Sequence, residues 1–476
     1  MQILHIFRRD LRLSDNAAFD AAVRAADGDV LPVFVFDDAL LRGDGVAPAR
    51  VQFMLDCLQA LDEALRARGS RLIMRRGDPT TEILRLAQES GAAAVHFNKD
   101  YTPAARARDA RLARALHGAG VRVEAFKDQV VFEEREILTG AGTPYTVFTP
   151  YKRAWLARPR PQPLSDSGIP LRTPTVSGLT LPTLAELGIA ASNQRIPRGG
   201  EHLAQQMLQE WIDSRRIHAY ADKRDFPAVD GTSRLSPHLR FGTISPRQCV
   251  ATAERAAAQF NNQAGFETWI SEIIWREFYQ QVLANFPHAA RSAFKKQYDA
   301  MRWGSGDDAL DRARFDAWCT GRTGFPIVDA AMRQLAETGW MHNRARMIVS
   351  SFLTKDLLLD WRRGERWFMQ QLVDGDPASN NGGWQWSAST GTDAQPYFRV
   401  FNPRLQGERF DPEGDYIHAW VPELRGVRGK HTHAPHEMTP MEQRMAGCVI
   451  GEDYPAPIVD HAAQKDEIVR RFKALG

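Results

Sequence analysis

The chain has 476 residues, of which 43% are hydrophobic and 25% charged, a composition typical of a soluble globular protein that is long enough for two domains. Its 61 Lys and Arg against 58 Asp and Glu give a formal net charge of +3; this neither requires nor excludes a nucleic acid partner, so any basic surface must be local. The four cysteines lie far apart without a CxxC pair and no apolar run is long enough to span a bilayer, so we expect a cytoplasmic protein with no disulfide framework, no cysteine zinc site and no membrane contact.

Residues 1–130 alternate short β-rich runs with amphipathic segments. Strands separated by helices of this length predict βαβ crossovers and a Rossmann-like, mainly parallel sheet. The segment contains neither GxGxxG after a strand nor GxxxxGK[ST], so a nicotinamide fingerprint and a P-loop are both missing. The predicted strands are Ile3–Phe7, Val30–Phe36, Arg71–Arg75, Ala94–Asn98 and Val121–Ala125, and the clearest helices are Pro48–Arg68 and Thr80–Glu89.

The rest of the chain divides into a linker and a helical domain. Residues 131–200 contain nine prolines and predict a long connector over the surface. Residues 201–476 predict an all-α domain, and 11 of the 12 tryptophans lie there, so we expect the chemistry in this half. The clearest predicted helices are Glu201–Ser214, Gly265–Asn285, Ile327–Thr338 and Asn343–Leu359, with a final helical segment near Val469–Leu475.

The first of four unusual segments in the helical half is Asp225–Pro237. Its Thr, Ser and Arg side chains and backbone N–H groups precede a helix and are suited to phosphate oxygens. The same pattern also fits a helix N-cap followed by proline.

The second segment is Trp269–Tyr279. On a helix, Trp269, Glu272 and Arg276 fall on one face, and Trp275 and Tyr279 form a neighbouring stripe. This pattern fits either a core stripe with an i,i+4 ion pair or a pocket for a flat heteroaromatic ligand.

The third and fourth segments are Trp340–Met347 and Asp374–Trp386. The latter combines aspartates, amides and glycines that fit either a tight loop or the ring edge and ribose of a cofactor. No carboxylate run completes a calcium or magnesium site there. His431, His433 and His436 could suggest a metal site, but HxH spacing is more typical of a polar loop, so we predict no metal site.

Together these segments resemble the flavin-binding half of the photolyase and cryptochrome family. GTSRLSP, WREFY, GFPIVDAAMRQLAETGWMHNRARM, DWRRGERWFM and DGDPASNNGGWQW follow the family's order and spacing, and FRRDLRLSDN extends the resemblance over nearly the whole chain. The chain is most similar to the class I cyclobutane pyrimidine dimer branch. The resemblance implies light-dependent repair of UV-damaged DNA, by electron transfer from photoexcited, reduced anionic FAD to a dimer flipped out of the duplex.

The resemblance also implies where FAD is bound in the helical domain. The matching cofactor positions are Tyr220, Thr232, Ser233, Arg234, Leu235, Ser236, Trp269, Arg276, Asn343, Arg346, Asp374, Gly375, Asp376 and Asn380. Among them, Asn380 matches the position that faces flavin N5, where the amide helps to decide which redox state is stable.

Three further groups of positions follow from the same resemblance. The aromatic walls and dimer contacts are Trp275, Trp386, Glu272, Asn343 and Met347. The DNA-contacting positions are Arg224, Arg344 and Gln406. The chain of tryptophans that carries an electron from the surface to the flavin is Trp384, Trp361 and Trp303.

Three alternatives share parts of this pattern. A cryptochrome-like blue-light photosensor has the same fold and cofactor, but Trp275, Trp386 and Met347 fit repair, and plant-type sensors have aspartate at the position of Asn380. Enzymes for (6-4) photoproducts place histidines at the positions of Asn343 and Met347. A non-photochemical flavin electron carrier would not explain the arginines at the DNA-contacting positions or the pocket tryptophans Trp275 and Trp386.

A second, light-harvesting chromophore is compatible with the sequence, and its identity is open. Folate-binding relatives have an Asn-Glu pair where this chain has Ala104-Ala105, which argues against methenyltetrahydrofolate. A deazaflavin, a second flavin or no antenna are each compatible, and the candidate contacts are Asp100 and the segment Lys127-Asp128-Gln129. A monomer is the default expectation.

Overall fold

A five-stranded parallel sheet organises the N-terminal part of the computed structural model, which describes residues 1–260, 263–304 and 308–475. Neighbouring strands are parallel throughout, in the order β3-β2-β1-β4-β5, as βαβ crossovers require. The Rossmann-like prediction is confirmed, with strand ends displaced by two residues at most. The strands are β1 Ile3–Ile6, β2 Val30–Asp37, β3 Ile73–Gly77, β4 Ala94–Asn98 and β5 Arg122–Phe126.

Helices connect and follow these strands. Side chains of Asn16, Asp78 and Thr102 accept hydrogen bonds from backbone N–H groups in the first turns of α1, α4 and α5, which explains where these helices begin. The predictions of α3 and α4 are confirmed to within one residue at each end. The helices are α1 Ala17–Ala26, α2 Asp38–Leu41, α3 Pro48–Ala67, α4 Pro79–Ser90, α5 Pro103–Gly118 and α6 Phe148–Leu156.

The second half of the chain is helical, as predicted. Its long helix α11 packs against α6, α8, α10 and α16, so it forms the centre of this half. The helices are α7 Glu201–Asp213, α8 Tyr220–Lys223, α9 Ser236–Phe241, α10 Pro246–Phe260, α11 Ala264–Asn285, α12 Ala309–Thr320, α13 Pro326–Thr338, α14 Asn343–Ser351, α15 Trp361–Gln371, α16 Pro377–Ser387, α17 Pro403–Phe410, α18 Asp415–Trp420, α19 Pro440–Ala446 and α20 His461–Lys473.

The prediction of one helix over Asn343–Leu359 is wrong. The α-helix ends at Ser351, and a π-helical turn follows directly over Phe352–Asp356. The buried Lys355 side chain lies in this turn and its Nζ donates a 3.0 Å hydrogen bond to the Arg399 carbonyl oxygen. A buried polar group needs such a partner, and π-helical turns of this kind interrupt α-helices without a clear sequence signal.

The predicted surface course of residues 131–200 is wrong for its first part. Helix α6 buries Tyr151 and Trp155, which are 1% and 0% exposed, in the core around α11. The segment is therefore packed into the helical half before the proline-rich stretch begins. The domain boundaries themselves stay a prediction.

Glu277 of α11 fixes this segment. Its carboxylate accepts hydrogen bonds from the backbone N–H groups of Val131 at 2.6 Å and Phe132 at 3.2 Å, from the Tyr151 hydroxyl at 3.1 Å and from Trp155 Nε1 at 2.7 Å. Burial raises the pKa of Glu277 to about 7, although the four donors favour the ionised form. One side chain thus satisfies four buried donors of residues 131–155.

Replacement of Glu277 by glutamine is expected to loosen residues 131–155. The amide NH₂ cannot accept, so at least one buried donor loses its partner at a cost of about 1–3 kcal/mol. Hydrogen exchange of the peptide that contains residues 131–155 should accelerate by roughly 5- to 150-fold at this cost. The exposed Glu267 on the same helix gives the control E267Q, and equal exchange in both variants would contradict the prediction.

Candidate functional site

One face of α11 points toward α9, the segment before α9 and the segment after β5. Trp269 Nε1 donates to Ser233 Oγ at 3.2 Å, and the Arg276 guanidinium donates to the carbonyl oxygens of Gln129 at 2.6 Å and Leu239 at 3.2 Å. The i,i+4 ion pair between Glu272 and Arg276 is not formed. Trp269 and Arg276 therefore lie on one face of α11, and their partners come from distant parts of the chain.

Glu272 is held by Arg224, which follows α8. The two side chains form an ion pair, and each is about one-third exposed. Burial raises the pKa of Glu272, and the positive charge of Arg224 opposes that rise. The Arg224 guanidinium also lies 6.0 Å from the ring of Tyr220, which is 8% exposed. Arg224 therefore positions a carboxylate at the edge of the site.

The predicted phosphate segment forms the loop before α9. Helix α9 begins at Ser236 without a side-chain cap hydrogen bond, so the capping alternative does not account for the hydroxyls. Arg234 has a φ of 52° and its exposed guanidinium lies 5.2 Å from the Trp340 ring. Thr232 is half-buried and Leu235 is buried. The loop thus exposes hydroxyl and guanidinium groups next to Trp269.

Asp374 lies beside α14. Its Oδ2 accepts from Arg346 Nη2 at 2.8 Å, whereas its buried Oδ1 has no hydrogen-bond partner among the described residues. The next residue, Gly375, accepts a hydrogen bond from Arg240 at 2.7 Å. A Cβ at Gly375 would lie 2.5 Å from an Arg50 nitrogen, so a larger residue there would displace the Arg50 guanidinium. The unpaired Oδ1 is suited to a donor from a ligand.

Asp376 caps α16 and joins the two halves of the chain. Its Oδ1 accepts from the backbone N–H groups of Ala378 and Ser379, each at 3.0 Å, and its Oδ2 forms an ion pair with Arg9 of the sheet domain. Burial favours the neutral carboxyl, but Arg9, Arg240 and Arg276 hold the pKa of Asp376 below its usual range. The carboxylate is therefore the counter-ion of a buried cluster of arginines.

Helix α16 presents an amide and an open glycine on one side. Asn380 Nδ2 donates to the Glu365 carbonyl oxygen at 2.9 Å, which fixes the orientation of the amide. A Cβ at Gly383 would meet nothing within 4 Å, and Gly383 lies one turn after Asn380 on the same side. This side of α16 leaves room for a ligand.

These residues fit the predicted FAD. Helices α11 and α14 both pack against α16, so Asp374, Asn380 and the loop before α9 belong to one region of the fold. An unpaired buried acceptor, an oriented amide and exposed hydroxyl and guanidinium groups match ribose, ring edge and phosphate respectively.

The predicted dimer and DNA positions lie around the same helices. Trp275 stacks on Phe148 of α6, with ring centroids 3.6 Å apart and planes 9° apart, and Trp386 is half-buried. Sequence reasoning missed Phe148, because nothing in its local pattern points to a tryptophan 127 residues away. Asn343 Nδ2 lies 3.9 Å from Met347 Sδ, as expected for residues four apart on one helix.

Of the predicted DNA-contacting residues, Arg344 already has partners within the chain and Gln406 is buried in part. Arg344 forms a 2.8 Å ion pair with Asp225 and lies 4.3 Å from the Phe410 ring. Gln406 has its Oε1 buried without a partner among the described residues. Arg344 is mostly buried, so its charge is less available to a phosphate than the sequence suggested.

The three predicted electron-transfer tryptophans differ in exposure. Trp384 and Trp361 are 2% and 1% exposed, and Trp303 is half-buried. A Cβ at Gly364 of α15 would overlap the Trp384 indole, so glycine allows α15 and α16 this close approach. Gly304 donates its N–H to the Leu358 carbonyl oxygen at 2.7 Å, which holds Trp303 near the start of α15, where Trp361 lies.

Asp128, one of the candidate contacts for a second chromophore, lies in the core. Asp128 is 0% exposed and lies between Arg12 at 2.6 Å and Arg247 at 2.9 Å. Both arginines bind Oδ1, and Oδ2 has no hydrogen-bond partner among the described residues. Asp100 is paired with Arg9 at 3.3 Å.

The described residues show neither a metal-binding cluster nor a membrane-spanning helix. They hold no group of three or more His, Cys, Asp or Glu side chains placed to bind a metal ion. Among residues 1–260, 263–304 and 308–475, no helix has the length and apolar character needed to cross a membrane. The four cysteines are free and buried.

Comparison with known proteins gives consistent matches. Residues 3–169 match the family model of DNA photolyase, and residues 269–474 match that of the FAD binding domain of DNA photolyase. The chain is 44% identical to a deoxyribodipyrimidine photo-lyase of Synechococcus over 99% of this chain and 96% of that one. A deoxyribodipyrimidine photo-lyase of Halobacterium salinarum is also 44% identical, over 98% of each chain.

Solved structures match over almost the entire chain. A class III photolyase of Agrobacterium tumefaciens has a TM-score of 0.90 at 38% identity, covering 100% of this chain and 97% of that one. A photolyase of Sulfolobus tokodaii with two FAD molecules has a TM-score of 0.84 at 34% identity and full coverage of both chains. A cryptochrome of Synechocystis has a TM-score of 0.90 at 27% identity, over 98% of each chain.

Proposed function

The chain belongs to the DNA photolyase family, and from that premise we propose that it is a deoxyribodipyrimidine photo-lyase that uses light to split cyclobutane pyrimidine dimers in UV-damaged DNA. The observation that carries this proposal is the position of Glu272 and Trp275 on α11, the helix that also lines the cofactor region with Trp269 and Arg276. An aromatic surface and a carboxylate suited to a pyrimidine dimer thus adjoin the cofactor site.

FAD is the cofactor, and when bound it supplies the chemistry, because its reduced form absorbs light and donates one electron to the dimer. The protein's own residues bind and orient it. We assign the phosphate side to Thr232, Ser233 and Ser236, and the ribose or ring edge to Asp374, whose Oδ1 is free to accept. Asn380, with its Nδ2 engaged by Glu365, presents its amide to the ring edge.

The dimer would lie against Trp275 and Trp386. Phe148 covers one face of Trp275, so the indole is supported and the dimer would stack on its other face. Glu272 would hold the dimer by hydrogen bonds, and Arg224 positions that carboxylate. Removal of a dimer from the duplex costs less than removal of an intact base, because its stacking and pairing are already damaged.

The direct test is repair of a thymine-dimer oligonucleotide by the purified protein after photoreduction, with and without blue light. Light-dependent recovery of thymines by flavin-containing protein is the expected result. Bound, reduced flavin without repair would instead assign the chain to the photosensor function of its cryptochrome relatives.

A matched pair of variants tests the site within that assay. Glu272→Ala is expected to reduce repair at limiting dimer by roughly 5- to 150-fold, because the bound dimer would lose a hydrogen-bond partner at a cost of about 1–3 kcal/mol. Glu267→Ala, at an exposed position of the same helix, should repair like the wild type. Equal repair by both variants would remove Glu272 from the dimer site.

A further inference from the structure

A cleft lies at the outer end of the tryptophan series. It has a volume of about 500 Å³ and is lined by Trp303 and by four arginines, together with Asp299 and Asp360. The arginines are Arg302, Arg362, Arg363 and Arg366. Among the described lining residues, positive side chains outnumber negative ones, which favours an anion.

The arginines of the cleft are not equally neutralised. Arg362 is paired with Asp299 at 3.2 Å and with Asp360 at 3.1 Å. Arg302 and Arg366 are exposed, and within the described part of the chain their side chains form no hydrogen bond or salt bridge. These two guanidinium groups are therefore available to an anion, which guanidinium binds through paired N–H donors.

Two tryptophans adjoin this positive cleft. Trp303 lines it directly and is half-buried. The Arg362 guanidinium lies 4.8 Å from the ring of Trp361, so a lining arginine also contacts the next tryptophan inward. A molecule held in the cleft would lie in contact with the outermost member of the series.

We propose that this cleft binds a small anionic one-electron donor that restores Trp303 after light-driven electron transfer. The proposal rests on the function assigned above to Trp384, Trp361 and Trp303. In the step, Trp303 has lost one electron to the inner tryptophans, and the donor in the cleft returns one electron to its indole. An enediol monoanion of the ascorbate type then leaves as its radical and releases its proton to water.

The cleft and the dimer site lie on different sides of α16. Trp384 is packed toward α15, where the cleft residues Arg362, Arg363 and Arg366 are located. Trp386 is two residues further on, and two residues correspond to about 200° around a helix axis. The donor could therefore bind while damaged DNA occupies the other side.

The experiment measures the rate of flavin photoreduction under blue light with two donors, ascorbate, which is an anion at pH 7, and dithiothreitol, which is neutral. At low ionic strength, Arg302→Gln/Arg366→Gln should slow photoreduction by ascorbate about tenfold and leave photoreduction by dithiothreitol unchanged. Added salt should slow the ascorbate reaction of the wild type toward that of the variant.

Two double variants serve as controls. Arg302→Lys/Arg366→Lys retains the charges and should retain most of the ascorbate rate. Arg24→Gln/Arg85→Gln removes the same net charge from exposed helical pairs of the sheet domain and should behave like the wild type. A second readout needs no light: ascorbate should protect Arg302 and Arg366 from a guanidinium-specific reagent, measured by mass spectrometry.

The outcomes separate this proposal from the function it rests on. Equal ascorbate rates in the wild type and the Arg302→Gln/Arg366→Gln variant would overturn the donor cleft and leave the tryptophan series intact. No photoreduction of the wild type by either donor would overturn the tryptophan series and the donor role together. Weaker binding of dimer-containing DNA by the same variant would show that the cleft contacts DNA phosphates instead.

Discussion

Replacement of Asp376 by asparagine is expected to destabilise the protein by about 3–5 kcal/mol, because it leaves buried arginines without their counter-ion. Arg9, Arg240 and Arg276 all lower the pKa of this carboxyl, and Arg9 forms an ion pair with it from the other half of the chain. In the Asp376→Asn variant, Asp100 at 3.3 Å would be the one acidic partner left to Arg9 among the described residues. The charge of Asp376 therefore contributes to contact between the two halves as well as to the predicted cofactor site.

The substitution removes the negative charge of Asp376 but keeps a residue that can cap α16. Asparagine caps a helix about as well as aspartate, so the hydrogen bonds from Ala378 and Ser379 should persist in Asp376→Asn. Asp78→Asn is the matched control, because Asp78 caps α4 and accepts from the Thr81 N–H at 2.9 Å without a described arginine partner. Its effect should stay below about 0.5 kcal/mol.

Urea denaturation followed by tryptophan fluorescence measures both variants. The Asp376 carboxyl is held ionised in the folded protein, so its contribution is complete at neutral pH and declines as the pH falls below about 4, the ordinary aspartate range. The difference between wild type and Asp376→Asn should therefore shrink in acid. A difference below about 1 kcal/mol at pH 7, well under the cost of an unpaired buried charge, would show that Asp100 alone neutralises Arg9.

The order of elements was predictable, because hydrophobic period and helix caps act over short distances. β4, α3 and α4 lie within one residue of their predicted ends, since each has an apolar pattern bounded by proline, glycine or a capping side chain. The π-helical turn at Phe352–Asp356 was not predictable, because its apolar pattern continues that of the preceding α-helix.

The site was predictable in its residues and much less so in its contacts. The sequence motif of α11 identified Trp269, Glu272 and Trp275 as site residues. Their respective partners come from other segments and are Ser233, Arg224 and Phe148. Pairs this far apart in sequence leave no periodic signal.

The ion pair between Arg9 and Asp376 joins residues 367 positions apart. Long-range partners of this kind follow from how the two halves pack, and a single sequence does not encode that packing in any local window.

Replacement of Trp384 by phenylalanine is expected to slow flavin photoreduction by at least ~100-fold, since an added barrier of about 2.7 kcal/mol is sufficient for that factor. Benzene rings are much harder to oxidise than indoles, so the substituted side chain would interrupt a series that continues to Trp361 and Trp303. Light-dependent repair by protein reduced chemically beforehand should stay close to that of the wild type, because repair itself does not require electrons from the surface.

The packing around Trp384 determines how this result is interpreted. The indole is 2% exposed and lies edge-on to Phe368 at 5.0 Å and to Trp318 at 6.0 Å, so a smaller ring leaves a void and lowers stability. Trp318→Phe is the matched control, because Trp318 is 0% exposed in the same cluster and loses a similar volume. If both variants photoreduce slowly, packing of the cluster is responsible. If only Trp384→Phe does, the electron passes through Trp384, and the donor cleft at Trp303 has a defined route to the flavin.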